Sequence, residues 1–476
     1  MDLQALGIIL SLFLLILFAY KGYSVIMFAP IFALLAAFSQ GFSILPSYTE
    51  LFMAKAVVYI KSFFPVFILG AIFGKVMEDT GLAKSIASAI IKKIGTGKAI
   101  LAVVLACVVL TYGGVLLFVV VFAVYPFAAA LFKEARIPKR LIPGAIALGA
   151  FTFTMDAAPG TPQIQNLIPT KFFGTTLYAA PICGMIGGLF ILCVGMFWLE
   201  YRRKSAQEKG EEYGENHINE PILNPTQEAN LVDWRLATLP LFTVLVVNFI
   251  MTSYPWSEST MIPFQALKLP LLSVSVKSVA SIWALICGLV AGIIAAILVG
   301  RKSFSKESAI NKGHHTLQNT LNAGAIGSLL AIMNTASEVG YGNVIAALPG
   351  FHEIAAALLS IHVGSSPLFS EAVTVNVLAG ITGSASGGMS IALDLMGQDW
   401  LTWANSIGMS PEILHRVASM ASGGMDTLPH NGAVITLLAV SGLTHRESYG
   451  DIFAMTCIKT ITCFLVIGFH LFTGLL

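Results

Sequence analysis

Apolar stretches long enough to cross a lipid bilayer follow one another along almost the whole sequence. A helix needs roughly 20 apolar residues to cross the hydrocarbon core. Stretches of comparable length lie at 3–20, 24–39, 57–77, 179–200, 236–254, 277–300, 316–337 and 452–473. Only 11% of the residues are charged, whereas a soluble protein has about 25%. The pattern predicts an all-α polytopic membrane protein that is embedded in a lipid bilayer.

Further apolar zones are interrupted by glycine, proline and small polar residues. The interruptions lie at 111–114, 156–166, 383–388 and 423–432. Non-helical backbone at membrane depth is tolerated only where protein or a water-filled cavity surrounds it. We therefore predict that the zones around 111–114 and 383–388 are re-entrant hairpins, and that the other two are broken transmembrane helices. All four are expected to meet at one binding site near the middle of the membrane.

The order of crossings and breaks is the same in the two halves of the chain. A polar segment at 201–235 separates a first membrane repeat, 1–200, from a second, 236–476. Each half also contains a short amphipathic segment, at 78–98 and at 338–353. The number of full crossings in each half is odd, so the second repeat is predicted to be inverted relative to the first.

The distribution of basic residues predicts the orientation. With the N-terminus outside and both hairpins re-entrant, most of the 27 lysines and arginines fall in inside-facing loops, as the positive-inside rule requires. If either hairpin crossed fully, the basic cluster at 133–140 would move outside. The sequence thus predicts a multi-pass protein of the bacterial cell inner (plasma) membrane, with the linker 201–235 in the cytoplasm.

The residue types at the breaks favour binding of a small organic anion. Broken helices present N-termini, whose free N–H groups attract anions. The residues that we predict to bind the substrate are small and neutral. They are Thr111, Gly113, Gly114, Gly160, Thr161, Gln163, Gln165, Asn166, Ser384, Ser386, Gly387, Thr427 and Asn431. The alternative is that the glycines and serines merely allow close helix packing.

Ionisable residues inside the membrane are rare and usually functional. Asp156, Asp426, His430 and Glu371 are the candidates for binding a coupling ion. Asp156 and Asp426 are equally suited to capping the adjacent half-helices, and Glu371 has the alternative of facing the outer aqueous surface. His430 is the strongest candidate, because no capping role explains an imidazole at this position.

Several other functions are disfavoured by missing patterns. The sequence has no nucleotide-binding loop, no metal-ligand spacing among its nine histidines and no basic stripe that suits nucleic acid. No nucleophile–base pair stands out, which disfavours an intramembrane enzyme. No cofactor is expected apart from a coupling proton or, alternatively, sodium.

Two regions of the sequence resemble the gluconate permease family (GntP) of the ion transporter superfamily. The resemblance lies in 159–169 with 171–175, and in 424–432 with 443–449. It implies a proton-coupled importer of hydroxycarboxylates that forms a homodimer, with a scaffold region and a mobile transport region. Of the late motif of the sugar-acid members, only the His430-Asn431 pair is matched. The pattern is more similar to the branch that transports 3-hydroxybutyrate or related short carboxylates.

The sequence therefore predicts a secondary active transporter that imports a small carboxylate together with a proton. Sodium coupling and an uncoupled anion facilitator remain the alternatives.

Overall fold

The computed structural model describes residues 3–21, 23–115, 117–215, 217–220, 231–257, 259, 276–304, 316–361, 365–429 and 431–476. Within these ranges the protein is all-helical and has no β-strands.

The first half of the chain forms nine helices in the described ranges. They are α1 (Leu3–Tyr20), α2 (Val25–Ser39), α3 (Ile44–Asp79), α4 (Leu82–Ile94), α5 (Ala99–Tyr112), α6 (Leu117–Glu134), α7 (Ile142–Ala150), α8 (Ile164–Phe173) and α9 (Pro181–Glu208). A short helical turn, Phe153–Asp156, lies between α7 and α8.

The second half repeats this order of long and short elements. Its helices are α10 (Trp234–Thr252), α11 (Val276–Val299), α12 (Leu317–Ala347), α13 (Phe351–Leu359), α14 (Leu368–Thr382), α15 (Ala385–Ser406), α16 (Pro411–Gly424), α17 (Gly432–Ser441) and α18 (His445–Thr473). Thus α5/α6 and α14/α15 occupy the same place in the two orders, as do α7/α8 and α16/α17.

Five helices of the described chain are long and apolar enough to cross a membrane: α3, α9, α10, α18 and residues Val279–Val299 of α11. Their outward faces carry large apolar side chains, and Phe197 and Phe472 are 75% and 91% exposed. Contact with lipid explains such exposure, since a soluble protein rarely exposes large contiguous apolar patches.

The prediction of a short amphipathic segment at 338–353 is wrong in its position. Helix α12 runs without interruption through Glu338 to Ala347, and the short helix is α13 instead. Gly340 and Gly342 do not end a helix here. They allow α12 to pack closely, because a Cβ at Gly340 would lie 2.9 Å from the Phe52 carbonyl oxygen and one at Gly342 would lie 2.8 Å from Ile391.

In the first half, the corresponding short helix lies across the one that follows. The axis turns by 97° between α4 and the segment Thr96–Tyr112. The turn occurs at Gly95, whose φ of +75° is easily adopted only by glycine. With Lys92 and Lys93 in its last turn, α4 has the composition of a helix at a membrane surface.

Helix is interrupted at each of the predicted breaks. The first hairpin turns at Gly114, which has a φ of +91°, and the second at Gly383, with a φ of +66°. Helix resumes at Ala385, so the second break is shorter than the predicted 383–388. At Gly388 the two arms of this hairpin are so close that a Cβ would overlap the Ala379 backbone.

The described residues of the polar segment at 201–235, which are 201–215, 217–220 and 231–235, are more ordered than their composition predicts. Helix α9 continues to Glu208, past the predicted boundary at residue 200, and the residues after it pack on the helical body. Arg140 Nε and Nη2 donate to the Glu211 carboxylate over 2.6 and 2.8 Å, and these bonds lower the pKa of Glu211. Lys139 pairs with Glu220 at 2.9 Å. Residues 221–230 lie outside the described residues.

Candidate functional site

A cavity of about 400 Å³ lies where the second hairpin, the second broken helix and α12 meet. It is lined by backbone and side chains from several elements. They include Tyr23, Ser24, Phe67, Leu117, Phe151, Met155, Gln165, Asn334, Thr335, Glu338, Gly383, Ser384, Ser386, Asp426, Asn431, Gly432 and Ala433. Of the predicted substrate and coupling residues, the structure brings Gln165, Ser384, Ser386, Asp426 and Asn431 together here.

The second hairpin tip is fixed to the second break by one amide side chain. Asn431 Nδ2 donates to the Gly383 carbonyl oxygen over 2.6 Å, and Asn431 Oδ1 accepts from the Ala433 N–H over 2.7 Å. The first bond holds the hairpin tip, and the second caps α17. Asn431 thereby fixes the position of both chain segments at the cavity wall.

Two helix N-termini open onto this cavity. Helix α17 begins beside Asn431, and α15 begins beside Ser384, whose Oγ accepts from the Gly387 N–H over 3.1 Å. The first-turn N–H groups of a helix are not used within it and carry a partial positive charge. Two such ends beside neutral Ser386 and Gln165 form a surface that suits a carboxylate. Gln165 Oε1 has no hydrogen-bond partner among the described residues.

Glu338 is an acidic side chain in the cavity that the sequence analysis did not select. It is 3% exposed, it hydrogen-bonds Ser384, and its Oε2 has no hydrogen-bond partner in the part of the chain that the structure describes. The spacing of Asn334, Thr335 and Glu338 places them on one face of a helix, as i, i+1 and i+4. That pattern was the available signal, but the apparent break at 338–353 concealed it.

Lys459 of α18 connects the two broken helices. Its ammonium lies 3.0 Å from Asp426 Oδ1 and 3.4 Å from Asp156 Oδ2, and it donates to the Phe151 carbonyl oxygen over 2.6 Å. The lysine is 1% exposed. Both predicted coupling aspartates are therefore ion-paired by one buried cation. Asp156 does not cap a helix, since no backbone N–H of the described residues donates a hydrogen bond to its carboxylate.

The first hairpin tip contacts the first break in the same manner as the second pair. Gln163 Nε2 donates to the Thr111 carbonyl oxygen over 2.8 Å. A Cβ at Gly114 would lie 3.2 Å from Pro162, and one at Gly113 would lie 2.8 Å from Leu241. The four predicted substrate residues here therefore pack the hairpin against its neighbours. They are Thr111, Gly113, Gly114 and Gln163. None of them lines the cavity described above.

The side chain of Asn166 is buried and forms hydrogen bonds within the protein interior. Its Nδ2 donates to the carbonyl oxygens of Thr161 and Leu177 over 3.0 and 2.8 Å. Its Oδ1 lies 3.1 Å from both Arg416 Nη1 and His415 Nε2. Arg416, which is fully buried, also donates to the Ala179 carbonyl oxygen over 2.7 Å. A guanidinium from α16 thus holds the turn that follows α8, at residues 177–180.

The remaining predicted residues that the structure describes lie in packed surroundings. Thr161 donates to the Thr154 carbonyl oxygen over 2.7 Å, and Thr427 and Thr456 share a 2.6 Å hydrogen bond between their hydroxyls. Gly160 has a φ of +79° and lies against the Tyr178 ring. Glu371 is fully buried and does not face an aqueous surface. His430 lies outside the described residues.

The buried basic residues Lys459, Arg416 and His415 were also missed. Charged side chains within membrane segments are rare and usually functional, and this rule was sufficient to select Lys459 and Arg416. The sequence analysis gave them no role, because Lys459 lies in a helix without a break, and His415 and Arg416 lie before the second break rather than in it.

This sequence and its architecture are similar to those of known proteins. The family model described as "GntP family permease" matches residues 3–297. An uncharacterized transporter of Bacillus subtilis (strain 168), YxjC, is 52% identical over 482 residues, which cover 99% of this chain and 100% of the relative. The chain belongs to the GntP permease family. This GntP permease is a multi-pass membrane transporter, and not an enzyme.

The GntP permease also shares its fold with a transporter of known structure. The crystal structure of YdaH from Alcanivorax borkumensis aligns with a TM-score of 0.54 over 91% of each chain, at 16% identity. That level of identity shows the fold alone.

Proposed function

We propose that this GntP permease imports a small organic anion, such as 3-hydroxybutyrate or another hydroxycarboxylate, by symport with a proton across the bacterial plasma membrane. The observation that supports this function is the cavity at which the N-termini of α15 and α17 meet. Its volume of about 400 Å³ lies within the range of roughly 300–1,000 Å³ that small-molecule sites occupy.

In this proposal the substrate carboxylate binds between Ser384 and Asn431. The helix N-termini supply partial positive charge, and neutral groups such as Ser386 and Gln165 donate to or accept from substrate hydroxyls. No lysine or arginine is among the described residues that line the cavity. Binding without a fixed cation suits a transporter, which must release the anion as readily as it binds it.

Lys459 favours proton coupling over sodium coupling. A carbonyl oxygen from Phe151 and carboxylates from Asp156 and Asp426 converge on one point, and oxygen ligands of this kind suit a hard cation. That point is filled by the lysine ammonium. A sodium ion would have to displace a buried, ion-paired lysine.

The proposal includes the arrangement of the chain. The repeated element order supports two inverted repeats, 1–200 and 236–476, with re-entrant hairpins α5/α6 and α14/α15. The N-terminus lies outside, the linker 201–235 is cytoplasmic, and two copies form a dimer.

Transport by purified protein in proteoliposomes tests the function. A pH gradient that is alkaline inside is expected to drive uptake of radiolabelled 3-hydroxybutyrate or gluconate above the external concentration. The reversed gradient, alkaline outside, is the control. A sodium gradient alone is expected to drive none. Accumulation that requires sodium would establish the sodium alternative, and uptake that never exceeds the external concentration would establish a facilitator.

A further inference from the structure

Glu338 is placed where an ionised carboxylate and an anionic substrate would compete. The side chain extends from α12 into the cavity, beside the first turn of α15. Gly387 makes this approach possible, since a Cβ there would overlap Glu338 Oε2. A carboxylate at a helix N-terminus occupies the same favourable electrostatic position that we propose for the substrate.

The charges around the cavity leave Glu338 without a cationic partner among the described residues. Asp426 is neutralised by Lys459 at 3.0 Å. On the helices that pack against α12, Lys55 of α3 pairs with Asp394 of α15 at 2.9 Å. Tyr59, also on α3, is buried and adds no positive charge.

The other acidic groups on these helices do not change the charge around Glu338. Glu50 of α3 and Glu353 of α13 are exposed to the surroundings, and α2 contains no ionisable side chain. An isolated buried carboxylate is costly to ionise. Adding a second anion beside it would be more costly still.

We propose that Glu338 carries the transported proton, an inference that rests on the proposed function. When Glu338 is protonated, it is neutral and the N–H groups of α15 are available to the substrate anion. When Glu338 is ionised, its Oε2 takes that position and repels the anion. The proton that Glu338 binds from water on one side is released to water on the other, so one proton accompanies each anion.

The variant Glu338→Gln tests this role, because it imitates the protonated side chain. In proteoliposomes it is expected to retain exchange of internal for external 3-hydroxybutyrate, at a rate that no longer depends on pH. It is expected to lose accumulation driven by a pH gradient. Glu50→Gln, which changes an exposed carboxylate, is the matched control and is expected to behave as the wild type. Accumulation by Glu338→Gln at the wild-type level would overturn the proposal.

A second measurement does not depend on the choice of substrate. Infrared difference spectra of the wild type between acid and neutral pH are expected to contain the band of a protonated carboxyl group that is missing from Glu338→Gln and present in Glu50→Gln. If the difference spectra of the wild type and of Glu338→Gln are the same, Glu338 does not exchange a proton. If this band is assigned but the wild type accumulates neither 3-hydroxybutyrate nor gluconate, the proposed function fails while the role of Glu338 as a proton-binding group stands.

Discussion

The ammonium of Lys459 lies 3.0 Å from the Asp426 carboxylate, although the two residues come from separate elements, α18 and the second broken helix. The same ammonium lies 3.4 Å from Asp156 in the first broken helix. A change at Lys459 should therefore affect both breaks together.

Replacement of Lys459 by methionine is expected to destabilise the protein strongly. Removal of one partner from a buried ion pair costs about 3–5 kcal/mol, because the remaining charge is left without compensation. The thermal unfolding temperature in detergent should fall. The double variant Asp426→Asn with Lys459→Met should be more stable than Lys459→Met alone, since it removes one of the uncompensated carboxylates. Equal or lower stability of the double variant would contradict this interpretation of the ion pair.

Gly387→Ala is expected to impair transport with little loss of folded protein. The new Cβ would overlap Glu338 Oε2, which is the end of a flexible side chain and can move. Gly388→Ala, in contrast, would overlap the Ala379 backbone and should reduce the yield of folded protein. Gly468→Ala in α18 is the control, because a Cβ there meets nothing within 4 Å. Yield on size-exclusion chromatography and uptake rate separate the two effects, and a Gly387→Ala variant with wild-type uptake would exclude this contact from the mechanism.

Asn431→Ala should weaken substrate binding and destabilise the protein moderately. The substitution removes the bond to Gly383 and the cap of α17. Loss of such a cap costs about 0.5–2 kcal/mol. Gln163→Ala breaks the corresponding bond between the first tip and the first break, but Gln163 does not line the cavity. We expect KM for uptake to rise clearly in Asn431→Ala and less in Gln163→Ala; a larger rise in the latter would place the substrate elsewhere.

The pair of Arg140 and Glu211 gives stability that depends on pH. Since Arg140 holds the pKa of Glu211 below its ordinary value of 4.5, the pair stabilises the folded state above that value. The contribution is lost as the pH falls through the lowered pKa. The difference in unfolding temperature between the wild type and Glu211→Gln should thus be present at neutral pH and shrink in acid. Glu212→Gln, at a carboxylate that is 63% exposed, should show little difference at either pH.

The positions of the breaks could be predicted from the sequence because glycine and proline act on the backbone locally. Gly114 and Gly383 adopt the left-handed conformation that their residue type permits. Gly340 and Gly342 gave the same local signal, yet α12 continues through them. These two glycines allow close packing between helices. A sequence pattern does not distinguish a glycine that allows packing from a glycine that forms a turn.

The composition of the site was harder to predict, because it depends on pairs of distant residues. Selecting polar residues at the breaks found Ser384, Asn431 and Gln165, which do line the cavity. It also selected Asn166 and Thr161, whose polar atoms are used within the fold. Glu338 and Lys459 belong to continuous helices, and only the tertiary structure shows that they reach the breaks.

Protection of one residue from chemical labelling tests most directly whether the anion binds between α15 and α17. Ala433→Cys would be placed in a variant whose exposed cysteines, Cys193 and Cys457, are replaced by serine. Glu212→Cys is the control site, because the side chain of Glu212 in the polar segment is 63% exposed. Saturating 3-hydroxybutyrate or gluconate, whichever the protein transports, is expected to slow maleimide labelling at position 433 and leave labelling at 212 unchanged. Unchanged labelling at 433, in a preparation that transports the anion, would show that the substrate does not bind in this cavity.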